Sequence, residues 1–213
     1  MAELLPLDPD QLLTSTRSVR KRLDLERPVP LEVVREALEV ALQAPTGSNT
    51  QGWHWIVLTD PEKRRAVSEL YAKSFAAYRA AGSKTWDDAG RQATQERVQS
   101  SADFLAEHMA EVPVLVIGAL WSGAEEFAPG NQAGFWGSLL PAAWSLQLAL
   151  RARGLGSAWT TLHLAYEKEI AELLGIPATV KQGVLLPVAY TKGTDFKPAP
   201  RAPLDTVLHV DGW

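Results

Sequence analysis

The chain has 213 residues, a length that suits one compact domain, read here as 1–213. A net charge of −4 gives no whole-molecule reason to bind nucleic acid, and no apolar run approaches the roughly 20 residues that span a bilayer, so no membrane partner is expected. The absence of cysteine excludes disulfides, thiol catalysis and cysteine-based metal sites, and it suits a reducing cytosol, so a cytoplasmic location is expected.

Acid in place of a basic region in the first ten residues argues against a signal peptide. Asp8 to Thr16 predicts a short helix leading into the basic stretch Arg17-Ser18-Val19-Arg20-Lys21-Arg22. Past Pro28 and Pro30, the apolar spacing of Val33, Val34, Ala37, Leu38, Ala41 and Leu42 predicts a helix that stops near Ala44-Pro45. Thr46 to Gly52 reads as a polar loop and Trp53 to Leu58 as a strand. Asp60-Pro61 reads as an N-cap and first helical turn, opening a helix to about Ala81. Residues 82–93 predict a polar interruption before a helix that ends near Glu111.

Val112 to Leu120 is a continuous apolar run rich in β-branched residues, as in a strand buried on both faces. A loop at 122–133 precedes Phe135 to Arg153, apolar almost all round and predicted as a central buried helix ended by Gly154-Leu155-Gly156. Residues 157–163 read as extended, Glu167 to Leu174 as a short helix closed by Gly175, and Val184 to Tyr190 as another buried strand. The proline-containing tail 192–213 has no element of its own. Helices followed by strands with long helical connections give an α+β or α/β three-layer domain. No strand leads into a glycine-rich turn, which disfavours a dinucleotide-binding Rossmann unit.

Arg17, Ser18 and Arg20 combine two guanidinium groups and a hydroxyl, as a phosphate clamp does; a solvated basic turn is the plainer alternative. The loop with Thr46, Ser48 and Asn49 carries more hydroxyls and amides than turning requires, and an ordinary capping loop remains the alternative. Arg201, between Pro200 and Pro203, has little freedom to lose and could complete a phosphate site, or be a lone surface arginine. The four histidines are widely spaced, so no zinc site is expected; His163 reads as a satisfied structural histidine. Trp136, Trp144 and Trp159 read first as core. No serine sits in a nucleophile-elbow sequence.

Six segments in order resemble the nitroreductase family. They are Thr16-Arg17-Ser18-Val19-Arg20, the run Ala44 to Trp53, the helix end Leu148 to Gly156, Leu174-Gly175-Ile176-Pro177, the strand Leu185 to Tyr190, and Arg201-Ala202-Pro203-Leu204. In that family's pattern an arginine stands where this chain has Thr16, and a Gln-Asn pair where it has Trp144-Ser145. The resemblance implies a three-layer α/β/α fold with a central, mostly antiparallel sheet in an intertwined homodimer. The tail is then expected to wrap the partner chain. It implies FMN as cofactor, NADH or NADPH as donor, a small-molecule acceptor and ping-pong turnover. Arg17, Ser18, Arg20 and Arg201 would hold the phosphate and ribityl, and Trp159, Thr160 and Thr161 would lie beside the ring, with Thr46, Ser48 and Asn49 reaching from the other chain. No catalytic acid or base is required, because hydride passes directly between stacked rings. Reductive dehalogenation, flavin breakdown, flavin storage without turnover and a cofactor-free structural dimer are the other readings.

Overall fold

Residues 3–82, 85–127 and 129–213 are described in the computed structural model. The first two residues of the N-terminal segment, residues 83 and 84 of the expected interruption and residue 128 of the expected loop lie outside them.

Helix α1 (Pro9–Ser15) starts where the sequence places it. Asp8 Oδ1 accepts from the Gln11 N–H at 2.7 Å, and Gln11 Oε1 accepts from the Asp8 N–H, a reciprocal capping box. Helix α2 (Leu31–Ala41) buries Val33, Val34, Ala37 and Ala41. Strand β1 (Trp53–Leu58) leads into α3 (Pro61–Ala80), where Asp60 caps the Glu62 and Lys63 amides and Pro61 occupies the first turn. Helix α4 (Ala89–His108) begins inside the stretch expected to be irregular, because Asp88 Oδ1 accepts from the Arg91 N–H at 2.7 Å and starts the helix early.

Strand β2 (Val114–Trp121), helix α5 (Ala133–Ala152), strand β3 (Leu155–Ser157), helix α6 (Glu167–Leu174) and strand β4 (Val180–Tyr190) complete the domain. The stretch expected to be extended at 157–163 starts at the end of β3, continues through an isolated bridge of Thr160 to Leu185, and gives way to a 3-10 turn, Leu162–Tyr166. Gly154 and Gly175 take left-handed φ of 76° and 68° where α5 and α6 must turn away.

Among the described residues the four strands form one sheet in the order β1-β2-β4-β3, every neighbouring pair antiparallel. Alternate side chains of the central strands enter opposite layers. Leu115, Ile117, Leu185 and Ala189 pack with α3, α4 and α6. Val114, Val116, Val184, Leu186 and Val188 pack with α2 and α5. Gly118 and Gly183 let α5 and β1 come close: a Cβ at Gly118 would meet the Trp55 ring at 2.9 Å, and one at Gly183 would meet the Trp136 ring at 2.8 Å and overlap Leu139.

Two sequence expectations are corrected. Helix α5 is covered by the sheet and by α2, but Leu140 and Trp144 are each 40% exposed, so Trp144 is not core in the single chain. His163 is fully buried, but neither ring nitrogen has a hydrogen-bond partner among the described residues. Burial lowers its pKa to about 4 from the ordinary 6.5.

That histidine makes a testable contribution to acid sensitivity. Above pH 6.5 it is neutral whether the chain is folded or not. As pH falls the unfolded chain takes up a proton that the folded chain refuses, so stability is lost from about pH 6.5 down to about 4, where the loss levels off. The full effect is about 3 kcal/mol. In chemical denaturation across this window, His163→Leu should show a correspondingly shallower loss than the wild type. Equal slopes in the two proteins would mean that His163 takes up its proton alike in the folded and the unfolded chain.

Candidate functional site

The basic stretch after α1 is held by its two apolar residues. Val19 is buried, and its N–H donates to Ser157 O at 2.8 Å, while Ser18 forms a parallel bridge with Ser157. Gly156 is what admits this packing, since a Cβ there would meet Val19 Cβ at 2.9 Å and Thr191 Cγ2 at 2.6 Å. Four residues on, Leu23 is buried and bridges Thr191. With Val19 and Leu23 turned inward, Arg17 and Ser18 are exposed and Arg20 is half-buried.

The first part of the tail is pinned beside this stretch rather than left free. Arg22 Nη2 pairs with Asp195 Oδ1 at 2.7 Å and its Nε donates to Lys192 O at 2.9 Å. The guanidinium groups of Arg22 and Arg151 lie over the Phe196 ring at 4.2 and 4.9 Å. Arg17 Nη1 donates to Lys197 O. These contacts bring Pro200 and Arg201 to the clamp. Beyond them, residues 201–213 are exposed, including Leu204, Val207, Leu208, Val210 and Trp213.

Arg17, Ser18, Arg20 and Arg201 therefore line one cleft of about 780 Å³, together with Arg22 and Arg97. Among the described residues no carboxylate lines it. Only Arg22 of these arginines has an acidic partner among the described residues. Burial lowers the pKa of Arg20, and the phenol of Tyr71 beside it partly offsets this. Tyr71 is buried, which raises its own pKa against the opposing influences of Arg20 and Thr160. Thr160 is itself buried and bridged to Leu185 through its backbone, and its Oγ1 has no hydrogen-bond partner among the described residues. Trp159 is half-buried and Thr161 exposed. A cleft of cations with no carboxylate in its wall is electrostatically incomplete, and the chemistry it suits is that of a bound anion.

Thr46, Ser48 and Asn49 are not brought to this cleft. Their loop lies against the start of α5, where the Gly47 N–H donates to Ser138 Oγ at 3.1 Å and Trp53 Nε1 donates to Ser138 O at 2.6 Å. The clamp meets α5 near its other end, where Gln147 Nε2 donates to Ser157 Oγ at 2.9 Å. Ser138 and Gln147 are about two and a half helical turns apart. The loop borders a separate recess of about 250 Å³ that also includes Trp121 and Phe135. Ser48, Asn49 and Gln51 all have positive φ, from 49° to 53°, a strained backbone for non-glycine residues that costs of order 1–3 kcal/mol each. Asn49 Oδ1 accepts from Gln51 Nε2, and the rest of the loop's polar edge faces outward.

Arg97, Tyr71 and Ser101 were not found from the sequence as site residues. Their helices carry no motif, and only the docking of α3 and α4 against the clamp brings them there. Among the described residues no group of three His, Asp or Glu side chains could hold a metal, and no helix is long and apolar enough to cross a membrane.

Comparison with known proteins gives a consistent relationship. The iodotyrosine deiodinase of Thermotoga neapolitana is 28% identical over 200 residues, covering 92% of this chain and 94% of that protein. Iodotyrosine deiodinase 1 of Rattus norvegicus is 27% identical over 93% of this chain, which spans 67% of that longer protein. A 4-nitrobenzoate reductase from a Nocardioides species is 46% identical, but over 61 residues only. Among solved structures, an iodotyrosine deiodinase bound to FMN and 3-iodo-L-tyrosine superposes with a TM-score of 0.69 at 23% identity, covering 95% of this chain and 97% of that one. An FMN and NADPH-dependent nitroreductase from a sphigopyxis species gives 0.70, also at 23% identity, covering 97% and 100%. At that identity the structures establish the fold. The model of the nitroreductase family matches residues 13–190, from the end of α1 to the end of β4, and the chain belongs to that family.

Proposed function

We propose that this chain is an FMN-dependent oxidoreductase, working as a homodimer, that uses NADH or NADPH to reduce a small aromatic acceptor of the quinone or nitro type in ping-pong turnover. The observation that carries this reading is the arginine cleft. It is open, free of carboxylates, and sized and charged for the terminal phosphate of a nucleotide. Deiodinase and nitroreductase relatives that bind FMN support the identity of that nucleotide. When bound, FMN supplies the hydride chemistry. The protein's residues then have holding and excluding roles. Arg17, Ser18, Arg20 and Arg201 bind the phosphate end. Trp159, Thr160 and Thr161 adjoin the ring, with Thr160 kept in place by its backbone bridge to Leu185.

The loop with Thr46, Ser48 and Asn49 belongs to the same site only if it is supplied by a second copy, because within one chain it borders a different recess. The exposed face of α5 at Leu140 and Trp144, and the apolar side chains of 204–213, supply surface for such pairing. A second reading, reductive dehalogenation on the same scaffold, is favoured by the deiodinase relatives matching over nine-tenths of the chain.

The purified protein should be yellow, carry about one FMN per chain, and bleach when NADH or NADPH is added without oxygen. A colourless protein that takes up no FMN contradicts the cofactor assignment. A yellow protein that no nicotinamide donor reduces is a flavin binder and not a reductase. Halide released from a halogenated phenol faster than a nitroarene or quinone is consumed selects the dehalogenase reading. Arg201→Ala should weaken FMN by about 1.5–3 kcal/mol, the size of a charge-assisted hydrogen bond, with the fold intact because Arg201 is exposed. An unchanged dissociation constant makes Arg201 a surface charge only.

A further inference from the structure

We propose that Arg97, on α4, is a phosphate-binding residue that closes the arginine cleft over the terminal phosphate of the bound flavin nucleotide. The proposal rests on the FMN reading above and adds a residue from an element that carries no recognisable motif.

Its position follows from how α4 docks. Two adjacent serines of α4 fasten it to the basic stretch: Arg20 Nη1 donates to Ser101 Oγ at 3.3 Å, and Lys21 Nζ donates to Ser100 Oγ at 2.8 Å. Arg97 is four residues before Ser101, on the same helix face and one turn closer to the N-terminus. A helical side chain leans toward the N-terminus, so the docking that sets Ser101 on Arg20 carries Arg97 to the cleft that Arg17, Arg20 and Arg201 also line. Arg97 Nη2 donates to Thr94 Oγ1 at 2.9 Å, and Thr94 also lines the cleft, so the guanidinium is oriented by a neighbour within the same wall.

The charge arrangement points the same way. Nearby carboxylates are engaged elsewhere, Glu96 with Gln92 and Asp103 with Arg79. Arg97 has no acidic partner among the described residues. A fourth unpaired guanidinium facing three others adds repulsion that a dianionic ligand reverses. A phosphate monoester carries about −1.5 to −2 charges at neutral pH and has three acceptor oxygens, enough for several guanidinium groups. Thr16 adds nothing to this charge, since its hydroxyl is turned back onto Leu12 O.

The test compares FMN with riboflavin, which lacks the phosphate. Full-length wild type, Arg97→Ala, Arg97→Gln and Arg97→Lys would each be loaded with either flavin. Dissociation constants would be read from flavin fluorescence recovered on serial dilution, with helicity checked by circular dichroism. The two neutral variants should lose roughly 10- to 100-fold in FMN affinity, the range for one charge-assisted hydrogen bond, and riboflavin affinity should stay at the wild-type value. Arg97→Lys should fall between them and the wild type. FMN affinity unchanged in Arg97→Ala, or FMN and riboflavin weakened equally, overturns this proposal alone. An unchanged FMN affinity with a raised KM for NADPH also overturns it and moves Arg97 to the donor. Equal affinity of the wild type for FMN and riboflavin overturns the phosphate cleft itself, and this proposal with it.

Discussion

Helix α5 sets the constraint on which the rest depends. It is apolar nearly all round, so it must be covered on all sides, yet within one chain the sheet and α2 cover it and leave Leu140 and Trp144 outward. Gly118 and Gly183 let it sit close to the sheet by making room for Trp55, Trp136 and Leu139. At about 30 Å long, it also acts as a ruler. Ser138 near its start holds the strained loop with Asn49, and Gln147 toward its end holds Ser157 and, through it, the basic clamp. The two polar clusters that the sequence brings forward are thereby fixed apart. In the proposed homodimer a second copy on the uncovered face would meet the packing demand of α5, and the same pairing would offer each clamp a loop from the neighbour.

Electrostatics then distinguishes the two ends. The clamp end gathers arginines without acids, held by Val19, Leu23 and the Phe196 sandwich between Arg22 and Arg151. Packing energy from these apolar anchors offsets the repulsion of the exposed guanidinium groups, so the cleft is preformed for an anion. The loop end has no charge and instead stores backbone strain at Ser48, Asn49 and Gln51. Strain of this kind persists where the surroundings over-determine it, and here Gly47, Trp53 and Ser138 do so.

Much of this was legible in the sequence, for local reasons. Asp60-Pro61 and Gly175 mark helix ends by chemistry that acts within a turn. The three-layer fold, with all described strands antiparallel, is as the family resemblance implies. What failed was non-local. Strand β4 starts at Val180, four residues before the apolar run, because Gln182 is buried through bonds from its N–H and Nε2 to Glu167, a partner 15 residues away in sequence. The start of α4 was hidden in a polar stretch whose Asp88 cap outweighed its composition. The tail has no element of its own by sequence, yet its first part is held within the chain, because Phe196 packs between two arginines that no sequence pattern pairs with it. For the site, Arg17, Ser18, Arg20 and Arg201 could be singled out as types suited to phosphate. Arg97 and Ser101 could not, since only tertiary docking brings them to the cleft.

In the proposed dimer each site is assembled from the clamp of one chain and the loop of another. Complementation tests this directly. Arg17→Ala and Asn49→Ala, each impaired alone, would be unfolded, mixed and refolded, and mixed dimers counted by mass spectrometry. About half the dimers should be mixed, each with one doubly defective and one intact site, so flavin-dependent activity should rise toward about a quarter of wild type. Mixed dimers that form but recover no activity would mean that clamp and loop serve the same chain's site, contradicting the shared-site account.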